Sequence, residues 1–292
     1  MTTSTRLAIV VLAMSCAGCG RTEDTAPPVA TPLVTLARRE AAVGSPLDIK
    51  YRFEVAADAP AIDDDYWVFV HFLDSDGELL WTDDHRPPKP TPQWKAGEIV
   101  EYPRTIFVPK FPYEGMINVE VGLFSPKSGL RLPMNGKTTG QRSYQVASFD
   151  LQPQNDNQFV VFKEGWHPTE VADDQIGTEW QWSRKEATLT FRNPKRDVTF
   201  YLQVDRPVNP FAEPQKVELR IGEAVVDAFA LDSNQAELRK FPLTSAQLGD
   251  DETVEMRILV DRTFVPATIP ALNSNDPREL GIRVFRAYIE PR

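Results

Sequence analysis

Leu47-Asp48-Ile49-Lys50-Tyr51-Arg52-Phe53-Glu54-Val55 alternates apolar with charged side chains, residue by residue. A period of two places the apolar set on one pleat face, so the segment predicts a strand with one packed face and one wet face. Residues 66–73 are apolar almost throughout, which predicts a central strand covered on both sides. Asp74-Ser75-Asp76-Gly77 then supplies turn chemistry before Glu78-Leu79-Leu80-Trp81, and the two runs predict a hairpin. Further strands are expected over 100–108, 117–124 and 142–146, and in the second half over 188–192, 198–204, 217–221, 254–260 and 282–289. Residues 186–187 and 245–248 read as helical turns, and no long amphipathic helix is needed. The pattern predicts an all-β chain of two consecutive β-sandwich domains, the second of jelly-roll type.

The first apolar run has a different character. Leu7-Ala8-Ile9-Val10-Val11-Leu12-Ala13-Met14 follows Arg6 and leads into Ser15-Cys16-Ala17-Gly18-Cys19-Gly20. Such a run is too short to span a bilayer as a stable helix, and one positive charge before it with small residues after it marks an export signal. Cys16-Ala17-Gly18-Cys19 resembles the lipobox of bacterial lipoproteins, which implies cleavage after Gly18 and lipidation of Cys19. Cys16 stands where that motif usually has Leu. Modification at Cys16 and an ordinary cleavable signal are the alternatives. The chain is thus expected to divide into a signal peptide (1–18), a flexible tether (19–32), a first sandwich (33–149), a polar linker (150–158) and a second sandwich (159–292). Gly20 after Cys19 favours sorting to the outer membrane or cell surface, if enterobacterial rules apply.

Composition narrows the chemistry. Of 292 residues 41% are hydrophobic and 25% charged, which is globular, and the length suits two domains. Both cysteines lie in the signal region, so the folded part has none for a disulfide or a thiolate site. The formal charge is −10, one unit more negative once Arg6 leaves with the signal, and no basic stripe interleaves with aromatics. Nucleic acid is an unsuitable partner for such a surface. No Gly-x-Ser-x-Gly elbow, His-Glu-x-x-His helix or glycine-rich phosphate loop appears, and no cofactor is expected.

Val68 through Trp81, with Asp84-His85-Arg86-Pro87-Pro88, Trp94-Lys95-Ala96-Gly97-Glu98 and Val121-Gly122-Leu123-Phe124, form a spaced set of motifs. Over residues 44–133 the chain resembles the extracytoplasmic immunoglobulin-like β-sandwich of some bacterial surface proteins and membrane-bound glycosyltransferases. The second half carries Gly165-Trp166-His167-Pro168, Trp182-Ser183-Arg184-Lys185-Glu186-Ala187, Asn193-Pro194, Phe264-Val265-Pro266-Ala267 and Asp276 through Val284. It resembles a β-sandwich that accompanies glycosyltransferase-like and cell-surface proteins. The resemblance implies an immunoglobulin-like first domain and a setting in envelope or polysaccharide biology, and it implies no reaction.

Three sets of residues carry candidate chemistry. His71, Asp84 and His85, with Asp74, Asp76 and Asp83, have the donor types of a divalent metal site for a hydrolase, although the Asp and Gly positions also suit a plain turn. Trp166, His167, Trp180 and Trp182 with Arg184, Glu186, Asp276 and Arg278 have the composition of a carbohydrate platform, where C–H faces stack on indoles and charged groups meet hydroxyls. A core layer explains the same tryptophans. Trp81 and Trp94 flank a proline-stiffened loop over 84–92 that suits either a partner or a crossover with both indoles packed beneath it. The expected role is non-enzymatic: a lipid-anchored envelope protein that binds glycan or serves surface polysaccharide assembly. A protein-interaction scaffold and a metal-assisted hydrolase using His71 and His85 are the alternatives.

Overall fold

The computed structural model describes residues 26–110, 112–154, 159–172, 178–206, 211 and 213–292. The expected signal peptide and residues 19–25 of the tether, Cys19 among them, lie outside the described residues. Among the described residues no helix is long and apolar enough to cross a membrane.

The first domain is built from β1 (Ala30–Leu36), β2 (Glu40–Ala42), β3 (Pro46–Val55), β4 (Trp67–Leu73), β5 (Leu79–Thr82), β6 (Ile99–Phe107), β7 (Gly115–Phe124), β8 (Arg131–Leu132), β9 (Lys137–Gly140) and β10 (Ser143–Gln152). One sheet has the order β1-β3-β6. The other has the order β2-β10-β7-β4-β5, with β8 beside β7 and β9 beside β10. β2 runs parallel to β10, and the remaining pairs are antiparallel. This is the immunoglobulin-like order: the first strand of the chain switches sheets partway, so its second segment joins the far edge.

The alternation read in β3 is realised in full. Leu47, Ile49, Tyr51, Phe53 and Val55 are buried, while Lys50 and Glu54 are exposed. They meet Val68, Val70 and Phe72 of β4 and Val119, Val121 and Leu123 of β7 in one core. Each such side chain contributes about 1.5–3 kcal/mol when fully buried. The expectation that β4 is covered on both sides needs a correction. Its second face carries no further layer; Phe69 is buried there because the Arg131 guanidinium lies 4.2 Å from its ring centre.

Two boundaries also move. Residues 30–32, expected in the tether, open β1, and Pro32 is tolerated because β1 is an edge strand with a free hydrogen-bonding side. Residues 150–152, expected in the linker, complete β10, where Leu151 is 1% exposed in the core. Residues 155–158 of that linker lie outside the described residues.

The second domain has β11 (Val160–Phe162), β12 (Glu170–Val171), β13 (Glu179–Trp182), β14 (Glu186–Arg192), β15 (Val198–Asp205), β16 (Gln215–Ile221), β17 (Ala224–Leu231), β18 (Glu237–Leu243), α1 (Ser245–Leu248), β19 (Thr253–Val260) and β20 (Arg283–Pro291). The sheets have the orders β11-β14-β19-β16-β17 and β12-β13-β20-β15-β18, and all pairs are antiparallel. Nearly every connection crosses from one sheet to the other, as in a jelly roll. The turn expected over 245–248 is α1, held by a capping box in which Thr244 and Gln247 each accept from the other's backbone N–H. The turn expected at residues 186–187 is instead the start of β14. Ala187 falls in phase with Leu189 and Phe191, and all three are buried.

The outer face of the β20-β15-β18 region meets the first domain through polar contacts. Lys240 Nζ stands 2.6 Å from Asp48 Oδ1, Arg38 pairs with Glu290, and Lys110 Nζ lies 3.6 Å from Glu179. Tyr201 donates its hydroxyl to Glu290 at 2.6 Å, and its ring packs edge-on against Phe107. Beside these contacts an open cleft remains.

Candidate functional site

β13 and β20 build the floor of the cleft. Gln181 pairs with the buried Val284, and Trp182 pairs with Arg283. Val284 points inward, so the alternate positions Trp180, Trp182, Arg283 and Phe285 share the outer face of the sheet. Arg283 organises them. Its Nε donates to Asp205 Oδ1 at 2.8 Å, and its guanidinium carbon lies 5.3, 5.6 and 5.4 Å from the ring centres of Trp180, Trp182 and Phe285. Asp205 is 1% exposed, and burial raises its pKa while Arg283 opposes the shift. The pair anchors the aromatic rings from beneath.

Glu170 on β12 holds the indoles from the side. One carboxylate oxygen accepts from Nε1 of Trp180 at 3.1 Å and from Nε1 of Trp182 at 3.3 Å, and the other lies 2.7 Å from Arg278 Nη1. Arg278 also grips Asp276 at 2.7 and 2.9 Å, which lowers the Asp276 pKa through hydrogen bonding. Trp182 is nearly buried against Phe264. Trp180, tilted against Phe285 at 6.1 Å, remains half-buried at the cleft surface.

The cleft has a volume of about 690 Å³, with Trp81, Asp83 and Arg104 on the first-domain wall. Arg104 donates to both Asp83 oxygens, at 3.0 and 2.7 Å. From the second domain Gln203 of β15 and Arg286 of β20 join Trp180 and Phe285. The arrangement offers flat aromatic faces beside an amide and guanidinium groups. Those are the contacts that fix the ring and the hydroxyls of a sugar.

The eight residues expected as a platform therefore divide. Trp180, Trp182, Asp276 and Arg278 gather around Glu170. Trp166 packs edge-on against Phe162 and donates Nε1–H to the Thr188 carbonyl at 2.8 Å, and His167 is buried with Nε2 2.7 Å from the Glu279 carbonyl. Arg184 is exposed, and Glu186 is an exposed partner of Arg257 at 3.3 Å. These four do not reach the cleft.

His71, Asp84 and His85 do not converge either. His85 sits between the sheets against Tyr51 and Tyr102, whereas His71 lies on the outer face of β4 beside Phe69. Asp84 accepts the Val70 N–H at 3.0 Å. Among the described residues no three His, Cys, Asp or Glu side chains are gathered to hold a metal ion. The 84–92 loop is held by one of its two tryptophans: Trp94 is buried against Phe53 and donates to the Lys89 carbonyl at 2.9 Å, whereas Trp81 stacks on Phe72 at 4.6 Å and lines the cleft.

Glu170, Gln203, Arg283, Phe285, Arg286 and Arg104 were not foreseen. Arg283 and Phe285 do carry a signal, since they alternate with Val284 in an apolar strand. Their pairing with β13, about a hundred residues earlier, carries none.

No family profile matches this chain, and no curated protein matches it. Solved structures overlap it in part. The CBM36-1 domain of a multidomain xylanase from the hindgut metagenome of Trinervitermes trinervoides is 10% identical, covers 47% of this chain and 98% of its own, and has a TM-score of 0.29. The C-terminal CBM6 of LamC from Zobellia galactanivorans is 10% identical, with coverages of 46% and 99% and a TM-score of 0.27. SGBP-B of the Bacteroides ovatus mixed-linkage glucan utilization locus, solved with a mixed-linkage heptasaccharide, is 11% identical over 89% of this chain and 53% of its own, at a TM-score of 0.28. Overlaps of this size bear on neither ligand nor activity.

Proposed function

We propose that this chain is a non-catalytic glycan-binding protein of the bacterial envelope, which holds a pyranose chain in the cleft between its two sandwiches. The observation that carries this reading is the outward pair Trp180 and Phe285, half-buried and fixed by Arg283 and Glu170, in a cleft that also presents Gln203. A ring immobilised before the ligand arrives loses little entropy on binding, so stacking is retained as affinity. Asp83, the carboxylate of the first-domain wall, is committed to Arg104, which favours binding over proton transfer.

A glycan array followed by calorimetry on Trp180→Ala and Phe285→Ala tests the reading. Binding to an oligosaccharide that weakens at least tenfold in either folded variant is expected. Absence of binding across the array, or binding unchanged in both variants, overturns it. The proposed attachment to the membrane is supported by Cys16-Ala17-Gly18-Cys19, and Gly20 after Cys19 favours the outer membrane or cell surface as its site. Metabolic labelling with a fatty acid should mark the wild type and not Cys19→Ser; label retained on the variant rules out Cys19 as the acceptor.

A further inference from the structure

β20 slips its register against β15 at one point. Gln203 pairs with Arg286 and Val204 with Val284, so Phe285 is an extra residue on β20. A bulge of this kind re-aims side chains. Here Phe285 lies beside Arg283 and Trp180, and the next residue, Arg286, also faces out of the sheet, its guanidinium 6.0 Å from the Phe107 ring centre. Without the bulge, one of these two neighbours would point into the core.

The other cations around the cleft are matched. Arg104 has Asp83, Arg283 has Asp205, and Lys110 lies 3.6 Å from Glu179. Arg286 is half-buried and has no hydrogen-bond acceptor or ion-pair partner among the described residues. It opens both onto the main cleft and onto an adjoining space of about 350 Å³ that also reaches Lys110. Burial lowers its pKa, and Glu179 opposes that only at a distance. In a chain of net charge −10 this is a cation held away from the acidic surface at a cost that an arriving anion offsets.

We infer that the cleft takes an acidic glycan, with Arg286 receiving the carboxylate of a uronic-acid residue whose ring lies on Trp180 and Phe285. A planar guanidinium meets the two oxygens of a carboxylate in parallel, and Gln203, its partner across the strands, stands ready for the neighbouring hydroxyl. The inference rests on the glycan reading of the same cleft and adds the charge of the ligand.

The test titrates the purified full chain with tetramers of galacturonate, glucuronate and mannuronate, each as the free acid and as its methyl ester, which keeps the ring and removes the charge. At least one acid is expected to bind about tenfold more tightly than its ester. Arg286→Gln should abolish that preference, Arg286→Lys should restore part of it, and Trp180→Ala should weaken acid and ester alike. Esters that bind as well as the acids, with sensitivity to Trp180→Ala retained, overturn the acidic ligand and leave the glycan reading standing. A preference that survives in folded Arg286→Gln also overturns the inference. Binding indifferent to both Trp180→Ala and Phe285→Ala removes the glycan reading itself, and failure of all three acids to bind, or tighter binding of a sulfated tetramer, overturns the carboxylate assignment.

Discussion

Tyr102 donates its hydroxyl to Nε2 of His85 across 2.9 Å, while Nδ1 of the same ring lies 2.7 Å from the Asp83 carbonyl. A carbonyl only accepts, so Nδ1 carries the proton, and because burial disfavours a second one, Nε2 is left as the acceptor for Tyr102. Burial first, and then the Arg104 guanidinium, push its pKa below the ordinary 6.5; Asp83 and Asp84 pull the other way. The folded state therefore binds a proton less readily than the unfolded chain. Stability from His85 is complete above about pH 6.5 and is lost as the pH falls from there toward the folded pKa. His71, also lowered by burial, adds in the same direction. Urea midpoints of the first domain should fall between pH 7 and pH 5, and His85→Gln should flatten the slope. An equal slope in that variant would dismiss His85 as its source.

Gly122 of β7 lies under Phe69. A Cβ there would stand 2.1 Å from Phe69 Cε1 and 2.8 Å from the Arg142 carbonyl oxygen, so the ring would have to leave its place beneath Arg131. Gly122→Ala should destabilise the first domain by about 1–3 kcal/mol, the usual cost of overpacking. Adding Phe69→Leu should return part of that loss. Hydrogen exchange resolved by domain checks both: protection should fall across β4 and β7 and hold across β15 and β20.

The strands with clear alternation were legible because burial follows period two from Leu47 to Val55 in β3 and from Val254 to Val260 in β19. Edge strands such as β12 and β17 were not foreseen, since half-exposed positions leave no apolar stripe to read. The site was legible in its rings. Trp180 and Trp182 stand two apart, and that spacing alone places them on one face. What organises them comes from afar: Arg283 through β13–β20 pairing and Asp205 through β15–β20 pairing, while the bulge beside Phe285 and Arg286 arises between β15 and β20. Local periodicity contains none of this.

Asp205 supplies a direct test of that organisation. It is nearly inaccessible and holds Arg283, which is itself only partly exposed. Asp205→Ala leaves a guanidinium without its counterion beneath three rings, and a loss of about 3–5 kcal/mol in the second domain is expected. Asp205 and Arg283 replaced together by Leu and Met should recover much of it. The indole N–H resonances of Trp180 and Trp182 should shift and broaden in Asp205→Ala, because their ring geometry follows Arg283. Sharp, unmoved signals would mean that Glu170 alone positions the indoles.

The two sandwiches meet through charge, so the width of the cleft should depend on salt. Arg38–Glu290, Lys240–Asp48 and Lys110–Glu179 join the domains, and each pair is partly open to solvent. Pairs of this kind contribute about 0–1 kcal/mol apiece, and their reach shrinks from about 8 Å at 0.15 M ionic strength to about 3 Å at 1 M. Phe107 against Tyr201 is the apolar contact beside them, and a single ring pair adds about 0.5–1.5 kcal/mol. The balance is close enough for screening to tip it. Raising salt from about 0.05 to 1 M should increase the radius of gyration in small-angle scattering and lower glycan affinity in step, because the Trp81–Arg104 wall draws away from Trp180 and Phe285. Asp48→Asn combined with Glu290→Gln should be wider already at low salt and respond little to more. If the radius stays constant in both proteins, the domains are locked by Phe107 and Tyr201 instead, and the cleft is a fixed slot rather than one set by ion pairs.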